Sequence, residues 1–476
     1  MSGPLRLLPG GAGTLPTVPR PRRRPKWAAP DPLDEVAERL ADVCAAAVHP
    51  YEIAAVLESD GLSDEQITQR YGRRDLFAVA EELYARVPRG YPALPEPNDP
   101  WRVAGWRCLL RGVVFALPGL GYVLAGRLLT GPAHSSGMSA LAAAALVGWA
   151  WNQALAHRAY LCLGQGGGRA AARRLLLGAP AGAALACCAA LALSGTAAVV
   201  AFVAGQSGYL AAATALLVLG RERDLLIALA PTAVGAAVLP ALHAAAWVGS
   251  AVLLGTVGLA VLAAARQLVR VWRTGPAGGA EPPSVVRSVP YGLFGLAAGA
   301  LTLLAVFGDR LSRGAGAAAH GSAAVALTLS MGPAEWLLYR YRSRALAALR
   351  ASETGREFRI RAGRVLAGCL AGYLAVLAAL VVAAALVWPG AAPRDMWTVS
   401  GLGALGAVLW IALLLQAFGV AWSSALICAA AAATELALTV GGFAAPGIVR
   451  AVVCGGTALV LAALAHPLLG RATAHR

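Results

Sequence analysis

From Trp101 onward, apolar residues fall in long uninterrupted runs. They show neither the two-residue alternation of a half-buried strand nor the narrow stripe of a surface helix. A helix needs about 20 apolar residues to cross a hydrocarbon core of roughly 30 Å, because lipid offers no partner to open backbone groups. The pattern predicts twelve spans, at residues 104–126, 138–157, 177–195, 197–219, 225–242, 244–265, 289–308, 319–339, 365–388, 397–416, 419–438 and 446–469. Ahead of them, residues 31–88 carry helical stripes instead: Val36, Leu40, Val43 and Ala47, then Ile53, Val56 and Leu57, then Leu76, Val79 and Leu83. His49-Pro50 and Asp60-Gly61 punctuate those stripes, and Ser63-Asp64-Glu65 reads as a helix start. Residues 1–30 are rich in Pro, Gly and Arg and read as a disordered basic tail. Residues 89–100 contain four prolines and read as a stiff linker. No apolar stretch precedes Trp101, so no cleavable leader is expected.

Composition agrees with this division. Of 476 residues, 58% are hydrophobic and 13% charged, the balance of a polytopic membrane protein. The formal net charge of +16 suggests nucleic acid until it is read by region. Residues 31–99 hold 15 of the 24 acids against six Arg, and the chain from Pro100 onward holds 28 Arg against nine acids. Those Arg concentrate in alternate gaps: 18 follow even-numbered spans and five lie on the other side, at Arg127, Arg310, Arg313, Arg394 and Arg450. Cytoplasmic retention of basic loops produces such alternation and a phosphate-binding groove does not. Both termini are therefore expected in the cytoplasm, in a cytoplasmic (inner) membrane, with no nucleic-acid partner. The eight Cys lack metal-like spacing and read as packing residues.

The Pro/Gly-rich gap 266–288 follows the sixth span and divides the membrane part into lobes 101–265 and 289–476. In each lobe the second helix runs into an Arg-rich extension, His157 to Arg174 and Arg340 to Arg364, and a tight turn joins the fourth and fifth helices. An internal duplication gives two parallel repeats about an axis along the membrane normal. The expected class is thus an all-α membrane protein of about twelve helices in two six-helix lobes, with a small cytoplasmic helical domain.

Three segments carry a resemblance. Pro118-Gly119-Leu120-Gly121 leads to Arg127 at the close of the first span, the second span has a charged exit, and the seventh ends Val306-Phe307-Gly308-Asp309-Arg310. This layout resembles the multidrug/oligosaccharidyl-lipid/polysaccharide exporter superfamily. The exit of the eighth span, Glu335-Trp336-Leu337-Leu338-Tyr339-Arg340-Tyr341-Arg342, is most similar to exporters of Pel-type cationic exopolysaccharide. The resemblance covers residues 101–470. It implies a flippase working by alternating access on a polysaccharide or lipid-linked oligosaccharide, with a cytoplasmic glycosyltransferase as neighbour. The acidic N-terminal segment departs from that pattern.

Ionisable groups within spans are costly facing lipid, which makes each a candidate for function. Arg107 and Arg111, four apart near the start of the first span, suit a diphosphate or sugar acid, and equally a boundary position. Asp309 and Arg310 form a local ion pair or an outer gate. Glu335 has a cluster of Trp, Tyr and Arg around it and reads as a salt bridge or a site residue. Glu435, with no base near it in sequence, is a coupling candidate or a buried hydrogen-bonded acid. Asn152, Gln153, Gln206, Tyr209 and Gln416 suit sugar hydroxyls or interhelical hydrogen bonds. Gly164 to Gly168 lacks the Lys-Ser/Thr of a phosphate-binding loop, and His243 and His320 have no second ligand at metal spacing. Neither cofactor nor metal is expected. A membrane glycosyltransferase would need acids in sizeable outer loops, which hold only Asp309 and Asp395, so an enzyme is not the reading. The other alternative is a membrane scaffold or signalling subunit that recruits a glycosyltransferase through residues 31–88.

Overall fold

A computed structural model describes residues 31–88, 90, 99, 101, 103, 105–121, 124, 134–193, 196–239, 242, 245–276, 284–314, 320–387 and 395–475. The tail 1–30, most of 89–100, Arg127, His243 and Arg394 lie outside them. The described chain is helical, without a strand, and divides into compact units at residues 1–98 and 99–476.

The first unit holds α1 (Pro32–Arg39), α2 (Ala41–Ala46), α3 (Pro50–Ser59), α4 (Asp64–Tyr71) and α5 (Leu76–Arg86). Its starts follow local chemistry. Asp31 and Asp75 accept from the backbone N–H of Leu33 and Ala78, and Ser63 with Gln66 closes a capping box. Gly72, at φ 63°, ends α4 in the left-handed region that suits glycine. Leu33, Ile53, Leu57, Ile67 and Leu83 are fully buried at the centre. The expected stripe through Val43 is corrected: the chain leaves helical geometry at Leu40 and restarts, so Cys44 is buried and Val43 is 37% exposed.

Arg86 donates to Asp31, Asp34 and Glu82, and Arg73 to Glu82. The Arg86 hydrogen bond holds the Asp31 carboxyl below its ordinary range, and the Arg73 hydrogen bond does the same for Glu82. Lowered folded values mean the unfolded chain binds protons more tightly. Stability is then complete above the unfolded values near pH 4 and fades as pH falls through the folded ones. Residues 31–88 expressed alone are expected to show helical circular dichroism at pH 7 and a urea midpoint that drops below about pH 4. Arg86→Met should flatten that acid dependence, and an unchanged profile would remove the network from the account.

The second unit holds α6 (Gly105–Ala116), α7 (His134–Gly164), α8 (Gly168–Leu193), α9 (Ala197–Val218), α10 (Glu222–Val238), α11 (Ala246–Thr274), α12 (Val289–Arg313), α13 (Gly321–Arg350), α14 (Gly355–Val387), α15 (Met396–Ala417), α16 (Ala421–Val440) and α17 (Pro446–Leu469). Among the described residues, eight helical stretches are long and apolar enough to cross a membrane: α8, α9, Trp247–Thr274, Val285–Arg313, α14, α15, α16 and α17. The other expected spans overlap α6, α7, α10 and α13. The first is not one continuous helix over 104–126. Pro118 converts the chain after Ala116 to a 3-10 turn, Leu117–Gly119. α10 has 17 residues and an internal Pro231.

The two Arg-rich extensions take one form. α7 runs 31 residues, turns at Gly166 (φ 74°) and returns as α8, and α13 runs 30 residues and returns as α14. At 1.5 Å per residue each of α7 and α13 reaches about 45 Å, beyond a hydrocarbon core of about 30 Å. One buried cluster packs residues of α6 to α11 and another residues of α12 to α17.

Candidate functional site

The two sets of helices meet along two crossings at backbone distance. Pro333 has no N–H, which leaves the Leu329 carbonyl of α13 without its intrahelical donor. Gly112 of α6 lies against that carbonyl: a Cβ there would sit 2.9 Å from Leu329 O and 3.1 Å from Gly332 N. A Cβ on Gly332 would sit 2.5 Å from Cys108 O. No larger residue fits either position without moving a helix. On α12, Gly292, Gly295 and Gly299 recur at helical spacing against α7. A Cβ on Gly295 would lie 2.9 Å from both Trp149 O and the Gln153 Cγ, and one on Gly299 2.5 Å from the Trp149 ring.

Polar contacts tie both crossings at the end where the arginine-rich extensions leave. Arg111 of α6 donates through Nε to Glu222 of α10 at 2.7 Å and through Nη1 to Glu335 of α13. One guanidinium thus joins two carboxylates, one from each set of helices, in a cluster of net charge −1. Fork geometry suits it to two acceptors, where a lysine would offer a single point charge. At the second crossing, His157 of α7 shares a 3.0 Å hydrogen bond with Ser288 and stacks on Tyr291 at 3.6 Å between ring centroids. A third tie precedes α6. Ser343 donates to Asp99 at 2.5 Å, and the Arg342 guanidinium lies 4.1 Å over the Trp101 ring while donating to the Ala417 carbonyl.

These placements correct several expectations. Arg107 and Arg111 do not form a joint anion clamp: Arg107 is exposed over Trp106, and Arg111 is occupied by carboxylates. Glu335 pairs across the bundle and not within its own aromatic cluster, where Arg340 instead covers Trp336. Asp309 takes Arg313, and His320 Nε2 at 2.8 Å, so His320 does not stand alone.

Glu435, which has no base near it in sequence, meets one on the next helix. Arg450 donates to it through Nε at 3.0 Å and to the Leu304 carbonyl through Nη2 at 2.5 Å, and the Cys454 thiol lies 3.6 Å from its other oxygen. Both charges are sealed, at 1% and 3% exposure. The two residues are nearly equidistant from the turn between α16 and α17, so the hairpin sets them face to face.

Asn152 and Gln206 are half-buried on α7 and α9, and the Gln153 stem packs into the Gly295 groove. Tyr209 is buried, and Gln416 keeps a buried amide nitrogen without a partner. Among the described residues, no His/Cys/Asp/Glu group has the makings of a metal site. Glu222 and Arg450 are the residues that sequence reading missed. The first lay within a turn, and the second counted as an outer topology charge.

No known family profile matches the chain, and no curated protein matches it. Among solved structures it is similar to a MOP superfamily transporter from Pyrococcus furiosus, described as having a binding pocket whose reverse polarity suggests a different function. The identity is 12% and the TM-score 0.43, over 78% of this chain and 98% of that one.

Proposed function

We propose that this chain is an inner-membrane exporter or flippase that moves a polysaccharide or lipid-linked oligosaccharide outward by alternating access. In this reading it has twelve spans, two six-helix lobes and cytoplasmic termini. The supporting observation is the pair of glycine-lined crossings, α6 on α13 and α7 on α12, tied by the Arg111–Glu222–Glu335 cluster. Rocking lobes need closely packed surfaces with a polar tie that opens as a unit, and these crossings have both. The arginine-rich end is cytoplasmic, so the cluster is an inner gate in its closed state. Asn152, Gln153 and Gln206 supply amides for sugar hydroxyls, while Asp309, Arg310 and the Glu435–Arg450 pair hold the outer part of the second lobe.

Deleting the chain in its native host is expected to abolish extracellular glycan and to build up lipid-linked or cytosolic glycan inside. Normal extracellular glycan without intracellular build-up defeats the reading.

One observation favours a second role for the N-terminal unit. His49, Tyr51 and Phe77 form an edge-on aromatic row with ring centroids 4.5 and 5.5 Å apart, and Tyr51 and Phe77 are 61% and 52% exposed. An exposed apolar row on an acidic unit fits docking of a cytoplasmic protein such as a glycosyltransferase. Scaffolding alone predicts that residues 99–476 insert normally but support no export.

A further inference from the structure

Helix α11 is longer than the hydrocarbon core it would cross. Trp247–Thr274 spans 28 residues, about 42 Å against a hydrocarbon core of about 30 Å. Arg266 lies about 28 Å along that length, so the turns beyond it stand at headgroup depth. Those turns carry Arg266, Arg270 and Arg273, a spacing that sets all three on one helix face. All three are exposed, and none forms an ion pair with a described residue.

They share this side of α11 with Leu262 and Val269, both exposed. Leu262, one turn deeper than Arg266 and 69% exposed, puts an apolar side chain on the bilayer side of these arginines. Arg169, at the start of α8, donates to the Arg273 carbonyl at 3.5 Å. The neighbouring acid, Asp224, is engaged by Gln267 Nε2 at 2.7 Å. Cations at headgroup depth above an exposed apolar side chain match the two parts of one molecule, a phosphate headgroup and its acyl chain.

We propose that the α11 face binds the phosphate headgroup of an anionic membrane lipid, its chain lying on Leu262. Generic attraction of boundary arginines to an anionic surface would not depend on which arginines are present. A site made by this face does. Arg344, Arg350 and Arg356, also exposed after an even-numbered span, provide the comparison.

The test uses the full chain in detergent micelles, titrated with phosphatidylglycerol and separately with phosphatidylcholine, with binding followed by native mass spectrometry. Phosphatidylglycerol is expected to bind in preference to phosphatidylcholine. R266Q/R270Q/R273Q is expected to weaken it roughly a hundredfold, at about fivefold per arginine. R344Q/R350Q/R356Q should stay within about twofold of the parent. Equal losses in the two triple variants would reduce the face to generic electrostatics and overturn the proposal. Displacement of phosphatidylglycerol by millimolar inorganic phosphate would overturn it too, by showing a site for free phosphate. If the first triple variant does not fold, Arg270→Glu alone is expected to weaken binding at least tenfold, and unchanged affinity there is equally decisive against it.

Discussion

Replacing Arg450 with Met is expected to remove most of the folded protein from the membrane, and replacing Glu435 with Leu in the same chain is expected to restore it. Arg450 and Glu435 are sealed together, with a 3.0 Å bond between them and Arg450 Nη2 on the Leu304 carbonyl. Glycines leave the room they occupy, since a Cβ on Gly308 would lie 3.2 Å from Arg450 Nη2 and one on Gly401 3.2 Å from Arg450 Cβ. Removing one partner strands a buried charge at a cost of about 3–5 kcal/mol, a large part of a total stability of about 5–15 kcal/mol. Removing both with apolar groups of similar volume is close to neutral. Abundance in the membrane fraction and the Tm in detergent check this. A single variant as abundant as the parent would mean that the charge reaches water. A double variant that is abundant but inactive in export would move the pair from scaffold to function.

Arg111→Ala is expected to open the α6–α13 crossing without unfolding the protein. Two largely buried carboxylates, Glu222 and Glu335, each 24% exposed, would lose their shared cation and repel each other. Between the limits for surface and buried pairs, that amounts to about 2 kcal/mol, or about thirtyfold in the closed-to-open ratio. Cys108 is a native reporter, because it is 2% exposed and its carbonyl abuts Gly332. In a chain with the other seven cysteines replaced by Ala, Arg111→Ala should speed alkylation of Cys108 by about that factor. Arg111→Lys should fall between, since one ammonium cannot bond both carboxylates as the fork does. Labelling at the parent rate, with export intact, would make the cluster a static bridge and withdraw it as the inner gate.

Much of this protein is legible in its sequence. Apolar run length marks most of the long helices, Pro and Gly mark the breaks at His49-Pro50 and Asp60-Gly61, and Ser63 announces the start of α4. These features depend on neighbours within a few positions, where backbone geometry alone relates sequence to space. The same reading failed wherever the helix phase changed, at Leu40 in the N-terminal unit and at Pro118 after α6, because a register break depends on what the next turn packs against.

The chemistry was legible as residue types and not as partners. Arg111 and Glu435 stood out as ions in apolar runs, but whether each was a site residue, or instead a boundary arginine and a buried hydrogen-bonded acid, stayed open. Their counter-charges lie elsewhere in the chain, at Glu222 and Glu335, 111 and 224 positions from Arg111, and at Arg450 across a hairpin. Local periodicity states which face of a helix is polar. Only the packing of helices at glycine contacts such as Gly112 on Gly332 decides which other polar face it meets. The energy of a buried charge depends on that meeting, and not on the charge's place in its own helix.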